Sequence, residues 1–406
     1  MITMKYDFTS MIDRRGKDAN AVDNIGRRVW GYEPTAPRDG FDAIPMWVAD
    51  MNFATAPAVT DALRERIAHP LFGYFVPRPE YARSIIRWQE ERHRVTGLTE
   101  EAIGYENGVH GFVTSCVETL SRPGEAVFMH APYYVGFCQD VEGLGRVPIR
   151  SELVRDAAGV YRMDYADMDA KLKAANCHLA ILCSPHNPTG RVWERWELEK
   201  AMEVFERNEV LVISDEIWAD ITYPGHRHIP TQMVNEWARQ HTLAAYAPSK
   251  TFNLAGLIGS YHIIYNKYLR DRVVHCGSRT HYNEMNVLSM HALIGAYSDG
   301  GAEWTGELMQ VLEQNCRFVS RFLNSVDGVS ATDPEGTYMI FADCTRWCKA
   351  HGMTLDELLR AGWDVGVGWQ DGRFFGGPCH IRLNAASPFS RIQEAMNRLD
   401  KYVFHA

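Results

Sequence analysis

No stretch of about 18 consecutive apolar residues occurs in the 406-residue chain, so a membrane-spanning helix is not expected. Lysine and arginine runs are also missing and the formal net charge is −9. Neither nucleic acid nor an anionic membrane surface therefore finds an electrostatic match. The nine cysteines are odd in number and lack paired short spacing. Cys344 and Cys348 stand four apart, but no second Cys or His pair completes a zinc set, so no metal site is expected. Reduced thiols serving as small core residues point to the cytoplasm, as does the lack of an apolar h-region in the segment Met1-Ile2-Thr3-Met4-Lys5-Tyr6-Asp7. Repeats and low-complexity tracts are absent, and no Gly-x-Gly-x-x-Gly follows a strand pattern, which removes the dinucleotide fingerprint. What is present is a 46% hydrophobic, 23% charged chain of enzyme-like balance, long enough for two or three domains.

From about Met11 to Phe53 the chain is rich in Arg, Asp, Gly and Pro with little periodicity, and reads as an irregular arm. Pro57 then opens a helical pattern through Val59, Leu63 and Ile67. Apolar runs at Ala126–Met129, His178–Cys183, Val210–Ser214, Leu243–Tyr246 and Ser260–Ile264 predict strands, with helical patterns such as Trp196–Asn208 between most of them. Continuous apolar strands separated by helices predict an α/β fold with a largely parallel sheet covered on both faces. From about Asn286, Leu308, Val311, Leu312, Val319, Phe322 and Leu323 recur at helical spacing. Strand-like Tyr338–Phe341 and His380–Leu383 follow, which suggests a smaller α+β domain that the N-terminal arm joins. The expected division is residues 1–55 (arm), 56–288 (large domain) and 289–406 (small domain).

Three polar residues stand where apolar runs end: Asn187 in Ser184-Pro185-His186-Asn187-Pro188-Thr189-Gly190, Asp215 in Ser214-Asp215-Glu216, and Lys250 in Ala247-Pro248-Ser249-Lys250-Thr251-Phe252-Asn253. Ligands of parallel sheets bind beyond the carboxyl ends of the strands. Separately each residue has an ordinary explanation: a solvated lysine, a helix-capping acid, a turn asparagine. Together they supply an amine for a Schiff base, an acid for a pyridine nitrogen and an amide donor for a phenolate, the needs of pyridoxal phosphate chemistry. Glu216, next to Asp215, is assigned to structure.

Gly108-Val109-His110-Gly111 precedes an apolar helical pattern, and backbone N–H groups at such a helix start suit a phosphate, to which Ser249 could add a hydroxyl. Tyr133 and Tyr134 follow a predicted strand; core filling is the usual role of such rings, but one could stack on a flat heteroaromatic ring. Arg382 lies amid apolar residues, where a substrate carboxylate or an internal salt bridge would be its anion. Trp47, Trp218 and Trp369 suggest a bulky or flat substrate, or simply core packing.

These motifs resemble the fold-type I pyridoxal phosphate enzymes of the class I/II aminotransferase superfamily. More narrowly the chain is similar to the cystathionine β-lyase (C–S lyase) branch, which also includes a bacterial maltose-regulon modulator. The resemblance runs from Asp13-Arg14 through Pro45–Met51, Phe72-Gly73-Tyr74, Ser184–Gly190, Ser214–Ile217 and Ser249–Asn253 to Arg382-Leu383-Asn384. It implies a mostly parallel seven-stranded sheet sandwiched by helices, with a smaller α+β domain. It also implies Lys250 as the Schiff-base lysine, Asp215 on the pyridine nitrogen, Asn187 on the phenolate and Tyr134 on the ring. Val109 and His110 fall near the phosphate, Arg382 on the substrate carboxylate, and Tyr74 on the phosphate of a neighbouring subunit's cofactor in a homodimer. Two departures stand out. Trp218 occupies a cofactor-side position where the wider family has Tyr or His, and Ile258 stands where many aminotransferases carry a phosphate-binding arginine. The expected activity is β-elimination from an L-cysteine S-conjugate. Transamination of an L-amino acid, or a cofactor-binding regulatory protein with weak lyase activity, stand as alternatives.

Overall fold

In the computed structural model, which describes residues 4–280 and 283–405, the chain divides into two units. The first three residues of the N-terminal segment read above, Met1-Ile2-Thr3, lie outside the described residues. One unit comprises Thr55–Asn187 and Arg191–Gly306; the other takes the chain up to Ala54, Pro188–Gly190 and the chain from Glu307 onward.

The first unit is built on a seven-stranded sheet: β1 (Ile103–Glu106), β2 (Ala126–Ala131), β3 (Val147–Glu152), β4 (Leu179–Cys183), β5 (Leu211–Asp215), β6 (Thr242–Tyr246) and β7 (Ser260–Ile263). Their spatial order is β1-β7-β6-β5-β4-β2-β3. The pairs β6/β5, β5/β4, β4/β2 and β2/β3 are parallel, and β7 runs against both of its neighbours. Strands β4, β5 and β6 read as unbroken apolar runs because both faces are covered. On one face, Ile181, Ile213, Leu243 and Ala245 pack against Val109, Phe112, Val113 and Cys116 of helix α1 (Gly108–Leu120). On the other, Ala180, Leu182 and Val212 meet Leu198, Ala201, Met202 and Phe205 of helix α2 (Arg195–Arg207). The five strands predicted from apolar runs are β2 and β4–β7, with ends shifted by up to two residues. Edge strands β1 and β3 carry polar, half-exposed sequences, IGYE and VPIRSE, and had no apolar run to mark them.

The second unit holds a four-stranded antiparallel sheet in the order β8 (Ser330–Ala331), β9 (Met339–Asp343), β11 (His380–Asn384) and β10 (Gln370–Asp371). A short parallel pair, Ile44–Pro45 with Val367–Gly368, ties the N-terminal arm to this unit. Asn384 fastens it further by donating to the carbonyls of Val48 (2.6 Å) and Asp50 (2.5 Å). The arm, irregular over most of its length, is thus held by backbone pairing and side-chain bonds rather than by regular structure.

Candidate active site

Strands β4, β5 and β6 are neighbours in register, Cys183 opposite Asp215 and Asp215 opposite Ala245, so their carboxyl ends finish side by side. Backbone bonds lace the connections that leave them: Ser184 N–H donates to Asp215 O (3.0 Å) and Glu216 N–H to Ala245 O (2.9 Å). Asp215 is the last residue of β5, Asn187 lies four residues beyond β4, and Lys250 four beyond β6. The turn carrying Ser249 and Lys250 is closed by Phe252 N–H to Pro248 O (2.8 Å) and Leu254 N–H to Ser249 O (3.0 Å). The Asn187 turn is pinned by His186 N–H to Arg191 O (2.8 Å) and by the Trp193 indole donating to Cys183 O (2.9 Å). The three chemical groups therefore share one edge of a rigid sheet.

Asp215 and Asn187 are buried, whereas Lys250 and Ser249 are half-buried. Burial pushes the Asp215 carboxyl up to about 6, although the Ile217 N–H at 3.1 Å and the charges of His110 and Lys250 pull the other way. The Lys250 Nζ stands 5.8 Å from the ring centre of buried Trp218, within cation–π range. Helix α1 opens at Gly108, whose φ of +82° is one that side-chain-bearing residues rarely adopt, and presents Val109 and His110 on its first turn. His110 meets Tyr134 edge to face at 5.1 Å, and its Nδ1 is 3.2 Å from Asp140 Oδ2. Burial disfavours a charged His110 ring, but Asp140 outweighs it and the pKa is raised. A ring whose charged form Asp140 favours thus stands at a helix start that already favours an anion.

Two supports escaped the sequence reading. A Cβ on Gly136 would fall 1.9 Å from His110 Cε1 and 2.8 Å from Tyr134 Cε1, so both rings hold their places only because residue 136 is glycine. Gly136→Ala is expected to weaken pyridoxal phosphate binding at least about tenfold with the fold retained, measured by cofactor titration beside circular dichroism. Unchanged affinity would show that the two rings do not hold the cofactor. The second support is Asp220, held near 2 against burial by its hydrogen bond to His93 Nε2 (2.9 Å), the nearby Arg92 charge and the Trp88 indole (2.8 Å). It accepts the Thr251 hydroxyl at 2.9 Å and so anchors the residue after Lys250. Neither glycine nor a lone aspartate carries a sequence signal; only the contacts disclose them. Glu216 is taken up by the Ser214 hydroxyl, the Thr231 N–H, the Tyr246 hydroxyl and His228, which suits a structural part.

Arg382 and Trp47 belong to the second unit. Arg382, on β11, is buried; it donates to Trp47 O (3.0 Å) and Gln370 Oε1 and lies 4.0 Å from the Phe375 ring centre. The Trp47 ring is buried and donates to Ala21 O (2.9 Å), and Trp369 is likewise packed away. Tyr74 is fully exposed beside exposed Leu71, Phe72 and Val76.

The donor set of the first unit fits pyridoxal phosphate. A buried carboxylate with a raised pKa suits a protonated pyridine nitrogen, a glycine-opened helix start beside a histidine whose charged form is favoured suits a phosphate, and a half-buried amine suits an aldehyde. A raised Asp215 pKa also has a consequence for the cofactor-free chain. The folded state holds that proton more tightly than the unfolded one, so this stabilisation is full below about pH 4 and lost as pH rises through about 6. The stability of cofactor-free wild type minus that of Asp215→Asn should fall by on the order of 2–3 kcal/mol from pH 4 to 7 in urea unfolding. A pH-independent difference would contradict the burial argument.

Residues 43–399 match the model of the family described as aminotransferase class I and II. The cystathionine β-lyase PatB of Bacillus subtilis is 33% identical over 88% of this chain and 92% of its own length. MalY of Escherichia coli is 31% identical over 96% of this chain and 97% of its own. Cystalysin of Treponema denticola, whose crystal structure contains pyridoxal 5′-phosphate, superposes with a TM-score of 0.89 at 29% identity, covering 98% of this chain and 99% of that one. The chain belongs to the class I and II aminotransferase family, in the branch that contains PatB and MalY.

Proposed function

We propose that the protein is a pyridoxal 5′-phosphate-dependent C–S β-lyase that converts L-cysteine S-conjugates of the cystathionine type to a thiol, pyruvate and ammonia. The observation that carries this reading is the placement of Asn187, Asp215 and Lys250 at or just beyond the ends of adjacent strands, with Asp215 buried and its carboxyl pushed up to about 6. Relatives named cystathionine β-lyase and C–S lyase support it.

Lys250 would hold the cofactor through its aldehyde, and its Nζ, when free, would take the α-proton of the substrate. Asp215 would keep a proton on the pyridine nitrogen, Asn187 would donate to the phenolate oxygen, and Tyr134 would take the face of the ring. The bound ring supplies an electron sink for charge developing at the substrate α-carbon. The helix start at Val109 and His110, with Ser249, takes the phosphate. Trp218 packs beside the Lys250 amine and limits where it can swing. Arg382 binds the substrate carboxylate from the strand where Gln370 and the Trp47 carbonyl orient its guanidinium. Trp47, its ring fixed by Ala21, acts on substrate by orienting Arg382. In this division residues 56–288 carry the cofactor, and residues 1–55 with 289–406 carry the carboxylate clamp.

The enzyme works as a homodimer in the cytoplasm. Exposed Leu71, Phe72, Tyr74 and Val76 support a subunit contact in which Tyr74 reaches the partner's cofactor phosphate, and nine free thiols support a reducing compartment. No helix among the described residues is long and apolar enough to cross a membrane.

The test is a panel of S-substituted cysteines assayed for pyruvate and ammonia. Stoichiometric release of both is expected; accumulation of pyridoxamine phosphate without pyruvate would assign transamination instead, toward which the exposed Ile258 gives no phosphate-binding cation.

A further inference from the structure

We infer that Trp30, Tyr32 and Phe374 form a specificity ledge beside Arg382, and that it selects S-conjugates whose leaving group carries a planar aromatic ring. This rests on the lyase reading above and names the substrate class for the same site.

All of the residues belong to the second unit. Trp30 and Tyr32 are stacked, with ring centres 5.8 Å apart and planes 20° from parallel. Tyr32 in turn meets Phe374 at 5.6 Å and Trp47 at 6.2 Å, both edge to face. Trp47, through its carbonyl, and Phe375, through its ring, both contact the Arg382 guanidinium, as does Gln370. A carboxylate held at Arg382 therefore places the rest of a small amino acid beside this ring set.

Position in the cluster separates packing from recognition. Trp47 and Trp369 are buried and their indoles already bonded, so no ring face is left for a ligand. Trp30, by contrast, is 51% exposed and Phe374 36%, although each sits at the end of a packed aromatic row. The loop beneath Trp30 is built rather than loose: the buried Glu33 carboxylate accepts the N–H groups of Trp30 (2.5 Å) and Gly31 (2.9 Å). That use engages the Glu33 carboxylate, and Asp371, next in line toward Phe374, is paired with Arg373, so the ledge offers mainly ring faces. A flat apolar ring stacked on the open indole face is the occupant that gains most.

Two readouts on the cofactor-loaded enzyme test this. Wild type is expected to show kcat/KM for S-benzyl-L-cysteine at least about tenfold above that for S-methyl-L-cysteine, and Trp30→Ala to reduce the ratio to about twofold or less, with Phe374→Ala intermediate. Calorimetric titration with 3-phenylpropanoate and with propanoate reads binding without turnover; Trp30→Ala should weaken only the aryl acid, by about fivefold or more. Equal ratios in wild type and Trp30→Ala would overturn the ledge. So would a loss of dimer on sedimentation of Trp30→Ala, which would make the exposed indole a subunit contact. Absence of pyruvate from either conjugate, with the titration difference intact, would sink the lyase reading and leave the ledge standing.

Discussion

Lys250→Ala should lose at least about 10⁴-fold in the rate of pyruvate release, with the fold and the phosphate-binding helix start unaffected. The residue serves twice in the proposed chemistry, as the anchor of the cofactor and as the base that takes the α-proton. Its place depends on the turn closed by Phe252 and Leu254 and on Thr251 bound to Asp220, none of which involves the Lys250 side chain. Truncation therefore removes the amine without removing its mount. Added small primary amines should restore part of the activity, since they can accept the proton in the space vacated beside Trp218. Steady-state pyruvate assays with and without methylamine decide it: a variant retaining more than about a tenth of the wild-type rate would take the base role away from this lysine.

Asp215→Asn is expected to lower kcat by about 10²- to 10³-fold while KM for the same conjugate moves only a few-fold. Asparagine can still hydrogen-bond a pyridine nitrogen, but it does not hold the proton there. The carboxylate acts on charge that develops during the reaction, so its loss falls on kcat rather than on binding. Burial makes the effect large, because the same desolvation that pushes Asp215 up to about 6 strengthens its interaction with a ring cation. Asp215→Glu should recover part of the rate. A variant whose KM rises while kcat stays level would mean that Asp215 only holds the cofactor in place.

Much of this was legible in the chain because buried parallel strands leave a simple trace. Strands β4 to β6 are apolar on both faces, so their ends, and the polar residues just beyond them, stand out against the runs. Asn187, Asp215 and Lys250 could be grouped for that reason before any fold was known. Edge strands β1 and β3 left no such trace, since solvent on one side permits Gly, Arg, Ser and Glu among their residues. Supports were hidden for a different reason. Gly136 matters through the room it leaves for His110 and Tyr134, and Asp220 through bonds to Trp88 and His93 more than 120 positions earlier in the chain. Contacts of that range have no local pattern. The arm showed the opposite problem: its lack of periodicity was visible, but the pairing of Ile44–Pro45 with Val367–Gly368 and the aromatic row from Trp30 to Phe374 were not.

The most direct test of the account is chemical. Incubation with pyridoxal 5′-phosphate followed by borohydride reduction, proteolysis and mass mapping should place one pyridoxyl group per chain on the peptide carrying Lys250. A label on any other lysine, or none at all, would contradict the assignment on which the chemistry is built.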